Sequence, residues 1–233
     1  MSIEDTFKDF IRSKVEGGSR RPGLHVSDLV DDCLRKPWYR MAGLPSKPFD
    51  HETLCNFYYG TAVHESFDGM FPIMEYQMCV NPFEELTEYE MIDIDREMKD
   101  HPYRWVSGSA DAINGTHIID FKTCKELPSK PSDRYVKQIN FYSYMYYLHT
   151  GVEITKGAII YIEKVSGFRE HKIFEFDLMD VDSNRFKMMD IMKTIENDDI
   201  PQRHETTLCT VCPYRNDCDP HGFFDYKLKK MIR

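Results

Sequence analysis

Asp111, Asp120 and Lys122 are the residues whose types and spacing point most directly to chemistry. They flank Asn114-Gly115 in GSADAINGTHIIDFK, and this dipeptide predicts a two-residue turn between two antiparallel strands. Because side chains alternate along a strand, Asp120 and Lys122 share one face, and the hairpin brings Asp111 to it. Asp111 is expected to be the diagonal neighbour of Asp120, roughly 7–8 Å away. Two carboxylates at this separation can bind one divalent ion, with an ammonium group beside it.

The same hairpin predicts a partly buried strand around these charges. With the turn at Asn-Gly, Asp111 is expected to pair with Ile118, while Ile119 and Phe121 take the opposite, core-forming face. An Asp-x-Lys triplet is usually a solvated strand face with a weak ion pair. Two features favour a functional site instead. The flanking residues are apolar, so unpaired charges there would be costly, and the hairpin supplies a second carboxylate.

The segments GSADAI and IIDFKT resemble the core of the PD-(D/E)XK nuclease superfamily, and more narrowly its RecB-like branch. In that branch a Gly-x-x-Asp element precedes an Asp-x-Lys triplet, a pattern that Gly108, Asp111, Asp120 and Lys122 match. The resemblance implies that the two carboxylates bind Mg²⁺ or Mn²⁺, with the main-chain carbonyl of Phe121 as a further ligand. It also implies that the lysine orients the attacking water and stabilises charge on the phosphate.

A helix predicted from about Glu52 to Met70 contains GTAVHESF and brings a histidine towards this core. A lone helical histidine is usually a packed or surface residue. However, Gly-x-x-x-His-Glu before the nuclease core resembles the RecB-like pattern, in which the histidine joins the metal site. By this resemblance His64 is predicted to be a metal ligand, and Glu65 is a weaker candidate.

A second helix, predicted from Asp133 to about His149, carries Gln138 and Tyr142 on one face. Aromatic stripes of this kind usually belong to a core, but a glutamine is harder to place there without a partner. Gln-x-x-x-Tyr after Asp-x-Lys also resembles a RecB-family motif whose two side chains help to hold the substrate and the site. Both residues are therefore predicted to be functional.

Three cysteines near the C-terminus, Cys209, Cys212 and Cys218, are spaced like metal ligands. In a sequence without secretory features, thiols this close favour a metal site over disulfides. Three thiolates leave one ligand position to fill. The candidates for it are Cys33, Cys55, Cys79 and Cys124 or, for zinc, His204 and His221. The spacing alone leaves zinc and an iron–sulfur cluster both open.

A further resemblance narrows this choice. The CRISPR-associated exonucleases of the RecB-like group (the fourth Cas family) and related helicase–nucleases have one cysteine before the nuclease core and three after it. Cys33, which precedes Lys-Pro-Trp-Tyr, and the three C-terminal cysteines match this arrangement. The resemblance implies a [4Fe–4S] cluster bound by Cys33, Cys209, Cys212 and Cys218 that joins the two ends of the chain. It predicts a single domain over 1–233, with a core at about 52–196 and a cluster module from about 27–45 and 200–222.

Composition allows a domain with one substantial core, since the chain has 233 residues and is 41% hydrophobic. It has no apolar run of membrane-spanning length and no signal-peptide pattern, so we expect a soluble, cytoplasmic protein with no membrane partner. The net charge of −9 opposes a nucleic-acid role, because phosphate binding is largely electrostatic. Lys125, Lys130, Arg134 and Lys137 can supply a local basic patch, although each alone is typical of a solvated helix start.

The remaining elements complete an α/β pattern. They are a helix at 2–15, a flexible segment at 17–23, a helix capped by Ser27 that carries Cys33, Trp38 and Tyr39, strands at 74–80, 86–94, 156–164 and 168–177, and a helix at about 179–196. This order predicts a PD-(D/E)XK nuclease core, in which helices flank a mixed central sheet, with an iron–sulfur module formed by the N- and C-terminal segments.

The predicted function is hydrolysis of DNA phosphodiester bonds by a metal-dependent nuclease. The resemblance implies an exonuclease that favours single-stranded DNA, with CRISPR integrase or recombination proteins as partners. Its expected role is CRISPR spacer acquisition, or viral or general DNA recombination and repair. Two alternatives remain. One is a non-catalytic DNA-binding scaffold subunit that keeps the fold and the cluster, and the other is a zinc-stapled nuclease of the restriction or repair type.

Overall fold

The computed structural model describes residues 2–16, 22–31, 33–84, 99–165, 169–197, 199–204 and 207–218. The helices are α1 (Ile3–Glu16), α2 (Val26–Leu29), α3 (Arg35–Met41), α4 (His51–Glu65), α5 (Asp133–Thr150) and α6 (Val181–Glu196). The strands are β1 (Leu24–His25), β2 (Ile73–Val80), β3 (Val106–Asn114), β4 (His117–Cys124), β5 (Lys156–Glu163) and β6 (His171–Asp177), and a 3₁₀ helix spans Thr207–Val211. The whole of the predicted strand at 86–94, most of the predicted flexible segment at 17–23, and His221 lie outside the described residues.

The six described strands form one mixed sheet in the order β1-β3-β4-β5-β6, with β2 paired to β3. β1 is parallel to β3, and β4 is parallel to β5, while the other pairs are antiparallel. Because β4 and β5 are parallel, the chain must cross over between them, and α5 makes this connection. The predicted α/β fold with a mixed central sheet flanked by helices is confirmed.

Helices cover both faces of the sheet. On one face, Ile118 of β4 and Ile159 of β5 pack with the buried side of α5, and α6 packs outside α5. On the other face, Val63 of α4 packs with Ile119 and Phe121, as predicted for these two core residues. The charged residues of β4 therefore lie on the side of the sheet that α5 covers. Across the described residues, no helix combines the length and the apolar character needed to cross a membrane.

The turn of the central hairpin differs from the prediction. Asn114 pairs with His117, so Gly115 and Thr116 are the two central turn residues rather than Asn114 and Gly115. Gly115 has φ +56°, a conformation that glycine adopts at little cost. A glycine at the first central position is the arrangement of a type II′ hairpin turn, whereas the prediction assumed that asparagine would occupy it.

The changed turn shifts the strand register by two residues. Ala112 pairs with Ile119, so Asp111 and Asp120 are the next residues on each strand, whereas Asp111 was predicted to pair with Ile118. A shift of two keeps every side chain on its predicted face, because the side-chain period of a strand is two. The observed register places Asp111 opposite Asp120 rather than diagonal to it, at the point where the pairing of the two strands ends.

The predicted helix through Cys33 to Tyr39 is interrupted. α2 ends at Leu29 and α3 begins at Arg35, which leaves Cys33 between them. Pro37 gives the physical reason, because a proline within a helix clashes with the carbonyl four residues earlier, here that of Cys33. The proline is tolerated in the first turn of α3, where backbone N–H groups have no partner inside the helix.

In the two helices that carry predicted site residues, particular residues of the sequence determine where each helix begins and ends. α5 follows Ser132, whose side chain makes no capping hydrogen bond, and it is terminated by Gly151 (φ +70°), whose N–H donates to the carbonyl of Tyr147 at 2.7 Å. α4 begins after Asp50, whose side chain accepts from the backbone N–H of Thr53 at 2.7 Å. It ends at Glu65 rather than at Met70, because residues 66–70 form turns that include Gly69 at φ +78°.

Candidate active site and cysteine-lined cavity

β3 and β4 separate beyond the turn and leave a gap at the candidate site. One edge of β3 pairs with β2, whereas the other pairs with β1 at Val106 and Ser107 and with β4 from Ala112. Within this gap the backbone N–H of Phe121 donates to Asp111 Oδ2 at 2.8 Å, so a side chain replaces the missing strand pairing. The N–H and C=O of one strand residue point to the same side, so the carbonyl of Phe121 is also directed into the gap.

Asp120 and Lys122 form a buried ion pair on β4. Asp120 is only 1% exposed, and its Oδ2 lies 2.7 Å from Lys122 Nζ. Its Oδ1 has no hydrogen-bond partner among the described residues. A buried carboxylate oxygen without a partner is costly, so this atom is poised to accept a cation or a hydrogen-bond donor.

For each member of this pair, burial and the charge of the partner shift the pKa in opposite directions. Burial raises the pKa of Asp120 to about 7, against the opposing charge of Lys122, and the charge of Asp111 adds to the rise. Burial would lower the pKa of Lys122, but the two carboxylates outweigh it and raise that pKa above its ordinary value. At neutral pH the lysine is therefore charged, and it lies beside a carboxyl group whose pKa is raised.

His64 reaches the same site from α4. Its Nδ1 lies 3.5 Å from Asp111 Oδ1, and this interaction raises the pKa of His64 above its ordinary value. Burial would raise the pKa of Asp111, but His64 and the charge of Lys122 outweigh it and hold that pKa low. Glu65, the weaker candidate, is exposed and no described contact links it to the carboxylates. The structure thus brings together His64, Asp111, Asp120 and Lys122.

The predicted pair on α5 lies against the same strands. Gln138 Nε2 donates to the hydroxyl of Tyr142 at 2.7 Å, and burial followed by the charge of Asp120 raises the pKa of the tyrosine. A Cβ atom at Gly108 would lie 2.8 Å from Tyr142 Cε1 and 2.9 Å from Val26 Cγ2. Gly108 therefore allows α5 and α2 to approach β3 closely, which gives the glycine of the Gly-x-x-Asp element a physical role.

The donor set fits a hard divalent cation. Within the described residues, no three His, Cys, Asp or Glu side chains converge closely enough to hold a metal ion by themselves. Mg²⁺ needs only one or two protein carboxylates, because water and substrate phosphates fill its other positions. Asp111, Asp120 and the carbonyl of Phe121 are the oxygen ligands that Mg²⁺ and Mn²⁺ prefer. The buried Oδ1 of Asp120 would also gain a partner in such an ion.

The four cysteines predicted to bind the cluster line one cavity. This cavity has a volume of about 230 Å³, and its walls include Cys33, Cys209, Cys212 and Cys218 together with His204. No disulfide joins any of the seven cysteines, all of which lie in the described residues. The thiols share a cavity without converging on a single point.

The other three cysteines lie apart from this cavity. Cys55 Sγ lies 3.5 Å from His51 Nε2, and Cys124 Sγ contacts the carbonyl of Ile162 at 3.6 Å. Cys79 is buried in β2. Their separation from the cavity agrees with the predicted choice of Cys33 as the cysteine from the N-terminal half.

Hydrogen bonds hold the walls of the cavity together. Arg35 Nε donates to the carbonyl of Pro201 at 2.8 Å, and Arg35 Nη1 lies 3.7 Å from Cys218 Sγ. These contacts join α3 to the segment that carries the three downstream cysteines. The predicted proximity of the two segments is therefore present in the fold, although the boundaries of the proposed cluster module remain a prediction.

Two residues beside the site were not singled out from the sequence. The ring of Tyr135 lies 4.9 Å from Lys122 Nζ, and Asp31 is a buried carboxylate whose Oδ1 lies 2.8 Å from Arg134 Nε. Tyr135 is three residues before Gln138 on the same helix face, so helical spacing could have found it. No sequence pattern links Asp31 to the site. Of the predicted basic patch, Lys125 and Lys130 are exposed.

Comparisons with known proteins concern the family and the fold. A family model described as the PD-(D/E)XK nuclease superfamily matches residues 84–219, more than half of the chain. No sequence among the curated proteins matches this chain. The crystal structure of SSO0001 has a similar fold, with a TM-score of 0.59 and 14% identity, covering 93% of this chain and 96% of that one. An alkaline exonuclease (LHK-Exo) from Laribacter hongkongensis aligns with a TM-score of 0.43 and 10% identity, covering 76% and 89%.

Proposed function

Because this chain belongs to the PD-(D/E)XK nuclease superfamily, we propose that it is a deoxyribonuclease that hydrolyses phosphodiester bonds with Mg²⁺ or Mn²⁺ held by Asp111 and Asp120. One observation carries this proposal. Asp120 is buried, lies 2.7 Å from the ammonium group of Lys122, and has an oxygen without a hydrogen-bond partner among the described residues. A buried carboxylate and ammonium in an apolar strand are costly unless a ligand uses them.

Each side chain has a proposed role in the reaction. A divalent ion at this site supplies Lewis acidity, which lowers the pKa of a bound water and polarises the scissile phosphate. His64 and the carbonyl of Phe121 complete its protein ligands. Lys122 orients the attacking water and stabilises the negative charge that builds on the phosphate oxygens. Gln138 and Tyr142, hydrogen-bonded to each other, position the DNA strand.

The finer proposal is an exonuclease that favours single-stranded DNA and carries a [4Fe–4S] cluster at Cys33, Cys209, Cys212 and Cys218. Its proposed context is CRISPR spacer acquisition or viral or general recombination and repair, with an integrase or recombination proteins as partners. The support is the cysteine pattern shared with the CRISPR-associated exonucleases, together with the common cavity that these four residues line.

The choice of a cluster over a single zinc ion rests on the resemblance to the CRISPR-associated exonucleases, since either metal centre takes thiolate ligands. Cationic side chains suit an anionic thiolate site, and Arg35, Lys36, Arg203 and Arg215 line the same cavity.

A cleavage assay tests the proposed activity. We expect the purified chain to degrade DNA, single strands fastest, with Mg²⁺ or Mn²⁺ and not in excess EDTA. Asp120→Asn should abolish cleavage, because it removes a charged metal ligand. Cleavage that continues unchanged in EDTA would contradict the metal mechanism. DNA binding without cleavage under every metal condition would favour the scaffold alternative.

Metal analysis tests the proposed cluster separately. Anaerobically purified protein should be brown and contain about four iron and four sulfide per chain. Cys33→Ser should lose this content, whereas Cys55→Ser should keep it, because Cys55 lies outside the cavity. Stoichiometric zinc without sulfide would instead favour the zinc-stapled nuclease.

A further inference from the structure

A second cavity, of about 450 Å³, adjoins the cysteine-lined cavity. It shares Cys33, Lys36, Cys209 and Cys212 with the first cavity, and its wall includes Tyr135, whose ring lies 4.9 Å from Lys122 Nζ. We call it the aromatic groove, defined by five of its lining residues: Lys36, Phe49, Phe57, Arg134 and Tyr135. None of the proposed roles above uses Phe49, Phe57 or Lys36 in catalysis.

Both helical walls of the aromatic groove run towards the site. Phe57 and His64 are seven residues apart on α4, so they share a helix face and are separated by about 10 Å along its axis. Arg134 and Gln138 are four residues apart on α5 and also share a face. A ligand that lies in the groove along these faces is therefore led to the carboxylates.

The buried carboxylate of Asp31 lies close to both cations of the groove, Arg134 and Lys36. Asp31 lies 2.8 Å from Arg134 Nε and 3.8 Å from Lys36 Nζ, and its side chain is 5% exposed. Two cations around one carboxylate leave an excess of positive charge, in a chain whose overall net charge is −9. Around Asp31, the wall of the groove therefore offers a local attraction for phosphate that the overall charge conceals.

Aromatic side chains stand beside these cations. Phe49 precedes α4 and Phe57 lies within it, and their rings pack edge to face with centroids 5.2 Å apart. Phe57 is 44% exposed, so its ring is accessible to a ligand in the groove. Aromatic faces next to cations are the combination that binds single-stranded nucleic acids, since bases stack on the rings while phosphates contact the charges.

We propose that the aromatic groove binds a nucleotide of a single DNA strand next to the phosphate being cleaved, with its base stacked on Phe57 and its phosphates near Lys36 and Arg134. This inference rests on the proposed nuclease function. Bases in a duplex are already paired and stacked, so the same contacts would select a single strand. The groove would thus position the strand as well as bind it.

Binding measurements on the full chain test the stacking contact. The affinity for fluorescently labelled oligothymidine, measured by anisotropy in EDTA, should fall about ten-fold or more in Phe57→Ala. Phe186→Ala is the matched control, because Phe186 is 68% exposed on α6 and does not line the groove. Equal affinities of the parent and Phe57→Ala would overturn the proposal.

A DNA strand of the same length without bases distinguishes a loss of stacking on residue 57 from a general loss of structure in the variant protein. The parent should prefer oligothymidine over the abasic strand, and Phe57→Ala should lose most of this preference. Phe57→Leu, which keeps an apolar contact with Phe49, provides a second variant with the same expected direction. An equal preference for bases in the parent and both variants would reject stacking on Phe57.

The outcomes of the cleavage and binding assays are distinguishable. A parent chain that cleaves no DNA with Mg²⁺ or Mn²⁺ rejects the proposed function. A parent chain that cleaves DNA, but whose binding depends neither on Phe57 nor on the bases, rejects the groove alone. Cleavage combined with a loss of base preference in Phe57→Ala supports both.

Discussion

Asp111 connects three elements of the fold through its two carboxylate oxygens. Oδ2 accepts a hydrogen bond from the backbone N–H of Phe121 at 2.8 Å, and Oδ1 lies 3.5 Å from His64 Nδ1. The same side chain thus joins β3 to β4 where the strands separate and contacts the C-terminal turn of α4. Asp111 therefore has a structural role that is separable from its proposed role as a metal ligand.

Two substitutions at Asp111 separate these roles. In Asp111→Asn the amide oxygen can still accept from Phe121, so we expect a folded protein whose cleavage is reduced by at least about a hundred-fold. Asp111→Ala also leaves the N–H unpaired, which should lower the free energy of unfolding by a further ~1–3 kcal/mol. Urea denaturation in EDTA measures this difference. Equal stability of the two variants would show that the hydrogen bond contributes little.

Gly108 provides a test of the contact between α5 and β3. Gly108→Ala should lower stability by ~1–3 kcal/mol, because the new methyl group would meet Tyr142 at 2.8 Å and Val26 at 2.9 Å. Gly60→Ala is the matched control, since nothing lies within 4 Å of a Cβ at that helical position and alanine favours helix. It should be neutral or stabilise by up to about 1 kcal/mol. Similar thermal shifts in both variants would contradict the close approach at Gly108.

We expect His64 to contribute to the stability of the fold in a pH-dependent way. The interaction with Asp111 raises the pKa of His64 above its ordinary value of 6.5, so the folded state binds the proton more tightly than the unfolded state. This contribution is fully present below pH 6.5 and is lost as pH rises through the raised pKa. His64→Gln should therefore lower the melting temperature in EDTA more at about pH 6 than at about pH 8.5.

A second histidine provides the control for this measurement. His117 lies at the start of β4, and its ring contacts Thr116 at 3.2 Å. His117→Gln, measured at the same two pH values, reports the effect of the same substitution at a histidine outside the site. If His64→Gln loses the same stability at both, protonation of His64 does not contribute to folding.

Local patterns predicted much of this fold because they depend on neighbouring residues. The two-residue period placed Asp120 and Lys122 on one face, and the end signals located α5. The turn register was wrong because Asn114-Gly115 can place the glycine at either central position. Both registers keep the same residues on the core face, so hydrophobic alternation could not distinguish them.

Contacts between distant segments could not be predicted in this way. Asp31 and Arg134 meet only because α2 packs near the start of α5. β1 contains two residues, too few for an alternating pattern. The gap between β3 and β4, which turns Asp111 towards Phe121, likewise depends on the paired strands rather than on any one segment.

Replacing Lys122 is expected to lower the stability of the fold by an amount that depends on the ionisation of Asp120. Burial raises the pKa of Asp120 to about 7 and Lys122 opposes this rise, so Lys122→Gln should raise that pKa further. Relative to the parent in EDTA, the variant should lose most stability above about pH 7, where the buried carboxylate must ionise without its cation. Lys122→Gln combined with Asp120→Asn should recover much of the loss, because neither buried charge remains.

The same variants decide whether the hairpin is the active site. Lys122→Gln removes the cation proposed to stabilise the reacting phosphate, so cleavage should fall by about a hundred- to a thousand-fold under conditions where the variant is folded. The double variant should remain inactive despite its recovered stability, which separates catalysis from folding. Lys187→Gln, at an exposed lysine on α6 that has no proposed role, should cleave like the parent. Parent-like cleavage by Lys122→Gln would place the active site elsewhere and favour the scaffold alternative.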